Sequence, residues 1–182
     1  MRIAVTGTHG CGKTTLIADF TAAHPGFEAV PEPYWLLARD GVPFADGATT
    51  ADLEHQLQLS CTLLLEQVPG PGVVFDRCPL DFLAYLDVVS AAEGFEWLPG
   101  GRLLHRIGTA LATLDLVIFV PLLAPDEIAV PIEHSPLRRR VDRRLKTMLR
   151  QDDLGLLAAG PRIFEVSGPP AARVAKLAAA LG

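Results

Sequence analysis

One segment near the amino end combines residue types and spacing that suit phosphate binding. Residues 7–14 fit the Walker A pattern GxxxxGK[ST] at every fixed position, reading Gly7-Thr8-His9-Gly10-Cys11-Gly12-Lys13-Thr14. The glycines let backbone N–H groups turn inward around phosphate oxygens without a Cβ clash. The start of the following helix adds partial positive charge, Lys13 neutralises phosphate, and Thr14 can ligate Mg²⁺. We predict a nucleotide site at residues 7–15, Thr15 included.

Other residues of the predicted nucleotide site carry a weaker sequence signal. His9 and Cys11 are interpreted as tolerated loop residues, because the sequence shows no partner for a Cys–His nucleophile pair. Adenine is expected to contact the loop after the last strand, through Gly168 and Pro169. The alternative for the whole segment is a fortuitous glycine-rich turn. It is disfavoured because the pattern lies between a predicted strand and a predicted helix.

Acidic residues also follow two predicted strands. Glu32 comes after the second strand, and Asp76 with Arg77 ends the third. Ligands of open parallel sheets bind outside the carboxyl ends of the strands, so these side chains are expected at one crevice. There Glu32 can accept a hydroxyl proton, Asp76 can hold Mg²⁺, and Arg77 can bind a phosphoryl oxygen. The alternatives are a loop cap for Glu32 and a surface salt bridge for Arg77.

A basic segment, Leu137–Arg150, has apolar residues at helical spacing and arginines at many other positions. In an acidic protein this concentration of positive charge favours a polyanionic neighbour. We predict a lid at about residues 131–150 that clamps a transferring phosphoryl group and excludes water. Its arginines are assigned as Arg138, Arg140, Arg143 and Arg144. The alternative is a solvated basic helix, and nucleic-acid binding is not expected because no aromatic residues are interleaved.

The acceptor side of the crevice is predicted from nearby aromatic residues. Stacking on a planar base suits Tyr34, Trp35 and Trp97, and Trp97 lies in a glycine-bounded loop that suits a flap. Core packing is the alternative for each aromatic residue near the crevice, Tyr85 among them. Asp81 is placed in the substrate site, where it is expected to pair with an arginine, with a solvent-facing position as the alternative.

Short apolar runs alternate with longer helical patterns, which is typical of a parallel sheet with crossover helices. The predicted strands are Ile3–Thr6, Phe27–Val30, Val73–Asp76, Leu114–Val120 and Ile163–Val166. The predicted helices are Lys13–Ala23, Thr50–Val68, Pro79–Ala92, Arg102–Leu111, Leu137–Arg150 and Ala171–Leu181. Because the strands are apolar almost throughout, helices are expected on both faces of the sheet. The loops Gly94–Gly101 and Pro121–Pro136 are expected to move most.

The chain has 182 residues, of which 49% are hydrophobic and 20% charged, with a formal net charge of −5. This composition favours one globular domain over residues 1–182 and excludes a disordered chain. The negative charge disfavours nonspecific binding to nucleic acid or acidic membranes. Three cysteines without disulfide or zinc spacing indicate a cytoplasmic location. No apolar run is long enough to span a bilayer, and a strand at the first residues leaves no room for a signal peptide.

Three motifs resemble, in order and spacing, those of the deoxyribonucleoside kinase and thymidine kinase-like family: Gly7–Thr14, Glu32-Pro33 with Trp35, and Asp76-Arg77. The resemblance implies a three-layer α/β/α P-loop NTPase fold with a five-stranded parallel sheet and a helical lid. It also implies ATP and Mg²⁺ as cofactors, Glu32 as general base, and Arg77 in contact with the reacting groups.

The same family implies a glutamine that reads the base of the acceptor. Gln56, Gln58 and Gln67 are the candidates; the first two do not share a helical face, and Gln56 is assigned to the site. A second resemblance is to domains related to ribosylnicotinamide kinase, which have a similar ending at residues 164–168 followed by Arg173. The two resemblances agree on the transfer chemistry and differ in the substrate.

The sequence therefore predicts a kinase that transfers the γ-phosphoryl group of ATP to a hydroxyl of a nucleoside-like molecule. It contains neither the guanine-specific NKxD nor an LSGGQ segment, and it is short for the extra helical domain of a ring ATPase. The alternatives are a kinase for another hydroxyl compound or for a nucleoside monophosphate, and a regulatory ATPase without an acceptor. The expected partners are a nucleotide and a small hydroxylated acceptor; a homodimer is left open.

Overall fold

A computed structural model describes residues 1–41, 49–66, 72–123 and 135–182. In these ranges the strands are β1 (Arg2–Thr6), β2 (Phe27–Val30), β3 (Gly72–Asp76), β4 (Leu116–Phe119) and β5 (Arg162–Glu165). The helices are α1 (Lys13–Ala23), α2 (Pro33–Arg39), α3 (Thr50–Glu66), α4 (Pro79–Glu93), α5 (Gly101–Leu111), α6 (Ser135–Gln151) and α7 (Pro170–Ala179). Every predicted strand and helix is present, with ends shifted by a residue or two.

The five strands form one parallel sheet in the order β2-β3-β1-β4-β5, which confirms the predicted sheet. β1 lies at its centre, where Val5 is opposite Asp76 of β3 and Ile118 of β4. Parallel neighbours need long crossover connections, which the helices supply. Because parallel strands end at the same edge of the sheet, the segments after β1, β2 and β3 meet there. These segments carry the Walker A loop, Glu32 and Arg77.

Helices cover both faces of the sheet and enclose two apolar clusters. Alternate residues of β1 separate the clusters, because successive side chains of a strand point to opposite faces. Ile3 and Val5 pack with α1 and α7, whereas Ala4 packs with the layer formed by α3, α4, α5 and α6. α4 lies within this larger layer and is buried on all sides from Pro79 to Leu86. The predicted three-layer α/β/α arrangement is confirmed.

The edge strand β5 and the helix α2 differ from expectation. Ile163 and Phe164 of β5 are exposed, because the strand lies at the edge of the sheet, so full coverage by helices was the wrong expectation for it. α2 is not among the predicted helices. It begins directly after Glu32 with Pro33 in its first turn, where the missing N–H of proline costs nothing.

Some predictions fall outside the described residues: Gln67, Val68, the first part of the lid (131–134) and residues 124–134 of the second loop. The other loop expected to move is described. It follows Gly94, which ends α4 with a φ of 89° in the left-handed region. None of the described helices has the length and apolar character needed to cross a membrane.

Candidate active site

The loop between β1 and α1 has a backbone suited to binding an anion. Gly7, Gly10 and Gly12 have φ angles of 151°, 65° and 89°. A Cβ atom at Gly7 would lie 2.6 Å from the carbonyl oxygen of Val120, so a larger residue does not fit there. Gly12 is the N-cap of α1, and no side chain caps this end of the helix. The first N–H groups of α1 can therefore donate to a bound anion.

Cationic side chains bind the backbone carbonyl groups of this loop. Five successive carbonyl oxygens each accept a hydrogen bond from a lysine or an arginine. The pairs are Arg77 Nη1 to Gly7 O (3.1 Å), Lys13 Nζ to Thr8 O (2.9 Å), Arg138 Nε to His9 O (2.8 Å), Arg138 Nη2 to Gly10 O (2.8 Å) and Arg173 Nη1 to Cys11 O (2.7 Å). The C=O and N–H of a trans peptide point in opposite directions, so the amides of residues 10–12 face inward. These four side chains are termed the carbonyl clamp.

Asp81, in the first turn of α4, connects the loop to the end of β3. Its Oδ1 accepts hydrogen bonds from the amide of Gly7 (3.0 Å) and from Nη1 of Arg77 (3.3 Å). Its Oδ2 accepts from the Thr6 hydroxyl (2.8 Å) and from the amide of Cys78 (2.9 Å). Asp81 is 0% exposed, so its assignment to the substrate site is corrected: it is a buried link beneath the loop. The expected pairing with a site arginine is present.

Glu32 and Arg77 form an ion pair at the carboxyl ends of β2 and β3. Nε of Arg77 donates to Oε1 of Glu32 over 2.6 Å. Arg77 has a φ of 78°, a left-handed conformation that is uncommon outside glycine and typical of functional sites. Burial raises the pKa of the Glu32 carboxyl, but the charges of Arg77 and Lys13 outweigh burial and leave this pKa below its ordinary value. Glu32 is therefore ionised at neutral pH, the form in which a carboxylate can accept a proton.

Thr14 and Asp76 present oxygen atoms suited to a divalent cation. The Thr14 hydroxyl donates to Oδ2 of Asp76 over 2.7 Å. Oδ1 of Asp76 is buried and has no hydrogen-bond partner in the parts of the chain that the structure describes. Burial raises the pKa of the Asp76 carboxyl, and Lys13 and the Thr14 hydrogen bond oppose this only in part. A hydroxyl beside a buried carboxylate with an unused oxygen fits Mg²⁺, which prefers oxygen ligands.

Two adjoining cavities open at the loop. The first, of about 310 Å³, is lined by Glu32, Arg77 and residues of the loop, Lys13 and Thr14 included. The second, of about 450 Å³, is mostly apolar and lies between the start of α1 and the loop that contains Gly168 and Pro169. Both cavities include Gly12 and Thr15 in their walls. The first suits phosphate groups, and the second suits a flat apolar group such as a base.

Comparison with known protein families shows the family of the chain. A family model described as an AAA domain matches residues 2–158. The chain belongs to this AAA domain family. No curated protein sequence matches it.

This AAA domain is similar in structure to several kinases. Deoxyadenosine kinase from M. mycoides with bound dATP has 15% identity and a TM-score of 0.65, over 100% of this chain and 98% of that one. Thymidylate kinase from Candida albicans has 14% identity and a TM-score of 0.63, over 99% and 90%. Shikimate kinase from Aquifex aeolicus has 12% identity and a TM-score of 0.57, over 100% and 96%. At these identities the likeness shows the fold, and the fold implied by the three motifs is confirmed.

The arginines predicted for the lid of this AAA domain lie on different faces of α6 and therefore have different surroundings. Arg138 is buried and reaches the loop as part of the carbonyl clamp. Arg140 and Arg143 are exposed, and no hydrogen bond or ion pair among the described residues involves their guanidinium groups. Arg144 pairs with Asp87 of α4 and with a second aspartate, and its assignment to the phosphoryl group stays a prediction. The function of α6 as a lid stays a prediction.

The aromatic residues and the glutamine predicted for the acceptor lie outside the first cavity, whereas Glu32 and Arg77 line it. The indole N–H of Trp97 donates to Glu54 over 2.6 Å, and the ring lines a separate cavity of about 190 Å³ between α4 and α6. The structure does not bring Trp97 to the first cavity, and its assignment to the acceptor stays a prediction. Tyr34 and Trp35 follow Glu32 in α2, but both are exposed and contact each other edge to face, with ring centroids 5.0 Å apart. Gln56 is buried in α3 and lines neither cavity of the loop.

Three contacts of the loop are not found by sequence reasoning: the hydroxyl of Tyr85, the carboxylate of Asp81 beneath the loop, and the guanidinium of Arg173. Asp81 and Tyr85 are four residues apart in the helix that begins just after Arg77, so one face of α4 presents both to the loop. That spacing is a usable signal. Arg173 is named only through the second resemblance, and its contact with the carbonyl of Cys11, 162 positions away, has no local signal in the sequence.

Proposed function

We propose that the protein is an ATP- and Mg²⁺-dependent kinase that transfers the γ-phosphoryl group to a hydroxyl of a nucleoside-like small molecule. The observation that carries this proposal is that Glu32 lines the same cavity as Lys13 and Thr14. Transfer to an alcohol needs a proton acceptor next to a group that holds phosphate. The fold shared with deoxyadenosine kinase and shikimate kinase supports the same class of reaction.

In this proposal each group of side chains has a separate role in phosphoryl transfer. The inward amides and Lys13 bind the phosphate chain, and Glu32 takes the proton from the hydroxyl of the acceptor. Arg77, held in place by its ion pair with Glu32, stabilises negative charge on the transferring group. Thr14 and Asp76 would hold Mg²⁺, which supplies positive charge to phosphate oxygens when bound. The second cavity accommodates the base of ATP.

The charge balance of the first cavity favours an acceptor without a phosphate group of its own. Lys13 is needed for the triphosphate, and the charge of Arg77 is already offset by Glu32 and Asp81. Among the described residues, the exposed arginines of α6 do not line this cavity. A nucleoside therefore fits better than a nucleoside monophosphate, whose phosphate would lack a cation.

A panel of acceptors tests the proposal. The purified chain is supplied with Mg²⁺ and ATP, and ADP release is measured with deoxyadenosine, other nucleosides, nucleoside monophosphates and shikimate in separate reactions. We expect nucleosides to stimulate release strongly over the reaction without acceptor. Stimulation by monophosphates alone would correct the acceptor class. Binding of ATP without stimulation by any acceptor would instead favour a regulatory ATPase.

The Asp76→Asn variant is expected to be more stable than the wild type without metal. The pKa of Asp76 is higher in the folded than in the unfolded chain, so its ionisation costs folding free energy. Below the pKa of Asp76 in the unfolded chain, the carboxyl is protonated in both states and this cost is absent. The cost develops as the pH rises from that value through the higher pKa of Asp76 in the folded chain. Asparagine carries no charge and still accepts the Thr14 hydrogen bond. Urea unfolding at pH 7.5 should show the gain, whereas Mg²⁺ should raise the melting temperature of the wild type only.

A further inference from the structure

Tyr85 of α4 contacts both Arg77 and the Walker A loop, and the proposed mechanism assigns it no role. Cζ of Arg77 lies over the Tyr85 ring, 5.4 Å from its centroid, which is within the range of a cation–π interaction. The Tyr85 hydroxyl accepts a hydrogen bond from the backbone amide of His9 over 2.9 Å. It also lies 3.3 Å from the Thr8 hydroxyl and 2.8 Å from Nδ1 of His9. One buried side chain thus connects the guanidinium of Arg77 to the phosphate loop.

The protein binds most of the guanidinium of Arg77 and leaves one nitrogen for a ligand. Nε donates to Glu32, and Nη1 donates to the Gly7 carbonyl and to Asp81. Nη2 is accessible and has no hydrogen-bond partner among the described residues. The side chain as a whole is 7% exposed and lines the cavity that contains Lys13. A ligand oxygen can therefore bind a cation whose other nitrogens are already held.

The backbone of Arg77 does not by itself fix the guanidinium. The Arg77 amide donates to the Val5 carbonyl of β1 over 3.0 Å, which holds the main chain against the sheet. Its φ of 78° is left-handed, a conformation that a residue other than glycine keeps only where its surroundings fix it. The long side chain needs contacts of its own. Loss of one of them is expected to let the guanidinium move while the strand stays in place.

The contacts of Arg77 do not all keep their charge during the proposed reaction. Glu32 becomes neutral when it takes the proton of the acceptor hydroxyl, so its pairing with Arg77 then loses the negative charge. The guanidinium itself stays protonated. The ring of Tyr85 and the carboxylate of Asp81 are unchanged at this step. The ring is therefore a contact that still holds Arg77 while negative charge develops on the transferring group.

We propose that Tyr85 is a positioning residue for phosphoryl transfer. Its ring fixes the guanidinium of Arg77 so that Nη2 is available to an oxygen of the transferring group. Its hydroxyl fixes the Walker A loop at Thr8 and His9. The inference rests on the proposed function. The two parts of the side chain have different consequences, since the ring acts on the rate of transfer and the hydroxyl on the binding of the triphosphate.

Two variants of the full chain separate these consequences. Tyr85→Phe keeps the ring and removes the hydroxyl, so the dissociation constant of the non-hydrolysable ATP analogue AMP-PNP and the KM for ATP should rise about fivefold. Its kcat with deoxyadenosine should stay within about twofold of the wild type. Tyr85→Leu also removes the ring, and its kcat should fall about tenfold. Calorimetry with Mg²⁺ and AMP-PNP measures binding, and ADP release measures transfer.

NMR of the arginine side chains reports on Arg77 without any acceptor. Hindered rotation about the Nε–Cζ bond gives separate ¹⁵N signals for Nη1 and Nη2, and faster rotation makes them exchange and average. We expect the exchange in Tyr85→Phe to equal that of the wild type and the exchange in Tyr85→Leu to be faster. Comparison with Arg77→Lys assigns the signals.

Phe82→Leu is the matched control for Tyr85→Leu. Phe82 is an equally buried aromatic residue of the same helix that packs in the apolar core. The variant should lower the melting temperature, as any loss of a core ring does. It should leave kcat and the signals of Arg77 unchanged.

The possible outcomes separate this inference from the proposed function. If Tyr85→Leu keeps the kcat of the wild type, the inference is wrong and the proposed function stands. An equal loss of kcat in Phe82→Leu or in Tyr85→Phe would overturn the role of the ring, and a loss without faster exchange would overturn the action through Arg77. If the wild type transfers to no acceptor, both the proposed function and this inference are removed.

Discussion

Replacing Glu32 by Gln is expected to lower acceptor-dependent phosphoryl transfer by about 10²- to 10⁴-fold, the usual contribution of a positioned general base. Glutamine has the same size and an oxygen that can accept the hydrogen bond from Arg77, but it cannot take the proton of the acceptor. The affinity for AMP-PNP should stay close to that of the wild type, because Lys13 and the loop are unchanged. ADP release with deoxyadenosine and calorimetry with AMP-PNP measure the two effects.

Glu28→Gln provides a matched control for this variant. Glu28 is an exposed residue of β2, on the same strand that leads to Glu32, and the same chemical change there should leave transfer unaltered. Wild-type transfer in Glu32→Gln would remove Glu32 from the role of base and leave it as the partner of Arg77 alone. Loss of AMP-PNP binding in that variant would mean that the charge of Glu32 organises the loop.

Asp81→Ala is expected to cost about 3–5 kcal/mol of unfolding free energy, the range for breaking a fully buried ion pair. The variant would leave a buried Arg77 with less compensation and would remove the acceptor of the Gly7 and Cys78 amides. Each unsatisfied buried donor adds to the cost. Urea unfolding measures the loss, and it should be accompanied by weaker binding of AMP-PNP, because Gly7 begins the loop.

Two further variants make the result for Asp81 interpretable. Asp81→Asn keeps the shape and part of the hydrogen bonding, so its loss should lie between the wild type and Asp81→Ala. Asp87→Ala removes an aspartate of the same helix whose ion pair with Arg144 is partly exposed. Its cost should stay within about 1 kcal/mol, as for other ion pairs near the surface. Equal costs for Asp81→Ala and Asp87→Ala would contradict the role of Asp81 as a buried link.

The sheet could be predicted from sequence because its strands are short apolar runs bounded by glycine and proline residues. The same local rules miss α2, since its first residue, Pro33, closely follows another proline and gives no helical period. The same rules also predict that helices bury β5 on both faces, whereas its side chains are exposed. An apolar strand predicts burial, but whether a strand lies at the centre or the edge of a sheet depends on the order of pairing, which is not local.

The candidate site was predictable to the extent that strand ends meet at one edge of the sheet. That rule places Glu32, Asp76 and Arg77 beside the Walker A loop without any knowledge of packing. The rule does not predict which arginines of α6 face the loop. Arginines occur all around that helix, and its apolar stripe alone decides which face is buried. The ion pairs of Arg144 with Asp87 and Asp153 could therefore not be predicted. The hydrogen bond from Trp97 to Glu54 could not be predicted either, since Glu54 belongs to a helix far from Trp97 in the sequence.

The carbonyl clamp has a consequence for the order in which the molecule can be assembled. A ribosome that has synthesised the chain through β4 has released every residue of the Walker A loop but neither Arg138 nor Arg173. These two guanidinium groups bind carbonyls 128 to 162 positions earlier in the chain. The inward amides thus gain their final support only after Arg173 has been synthesised and α7 has packed on α1. A ligand that needs the fully supported loop therefore stabilises only a chain in which α6 and α7 have already packed.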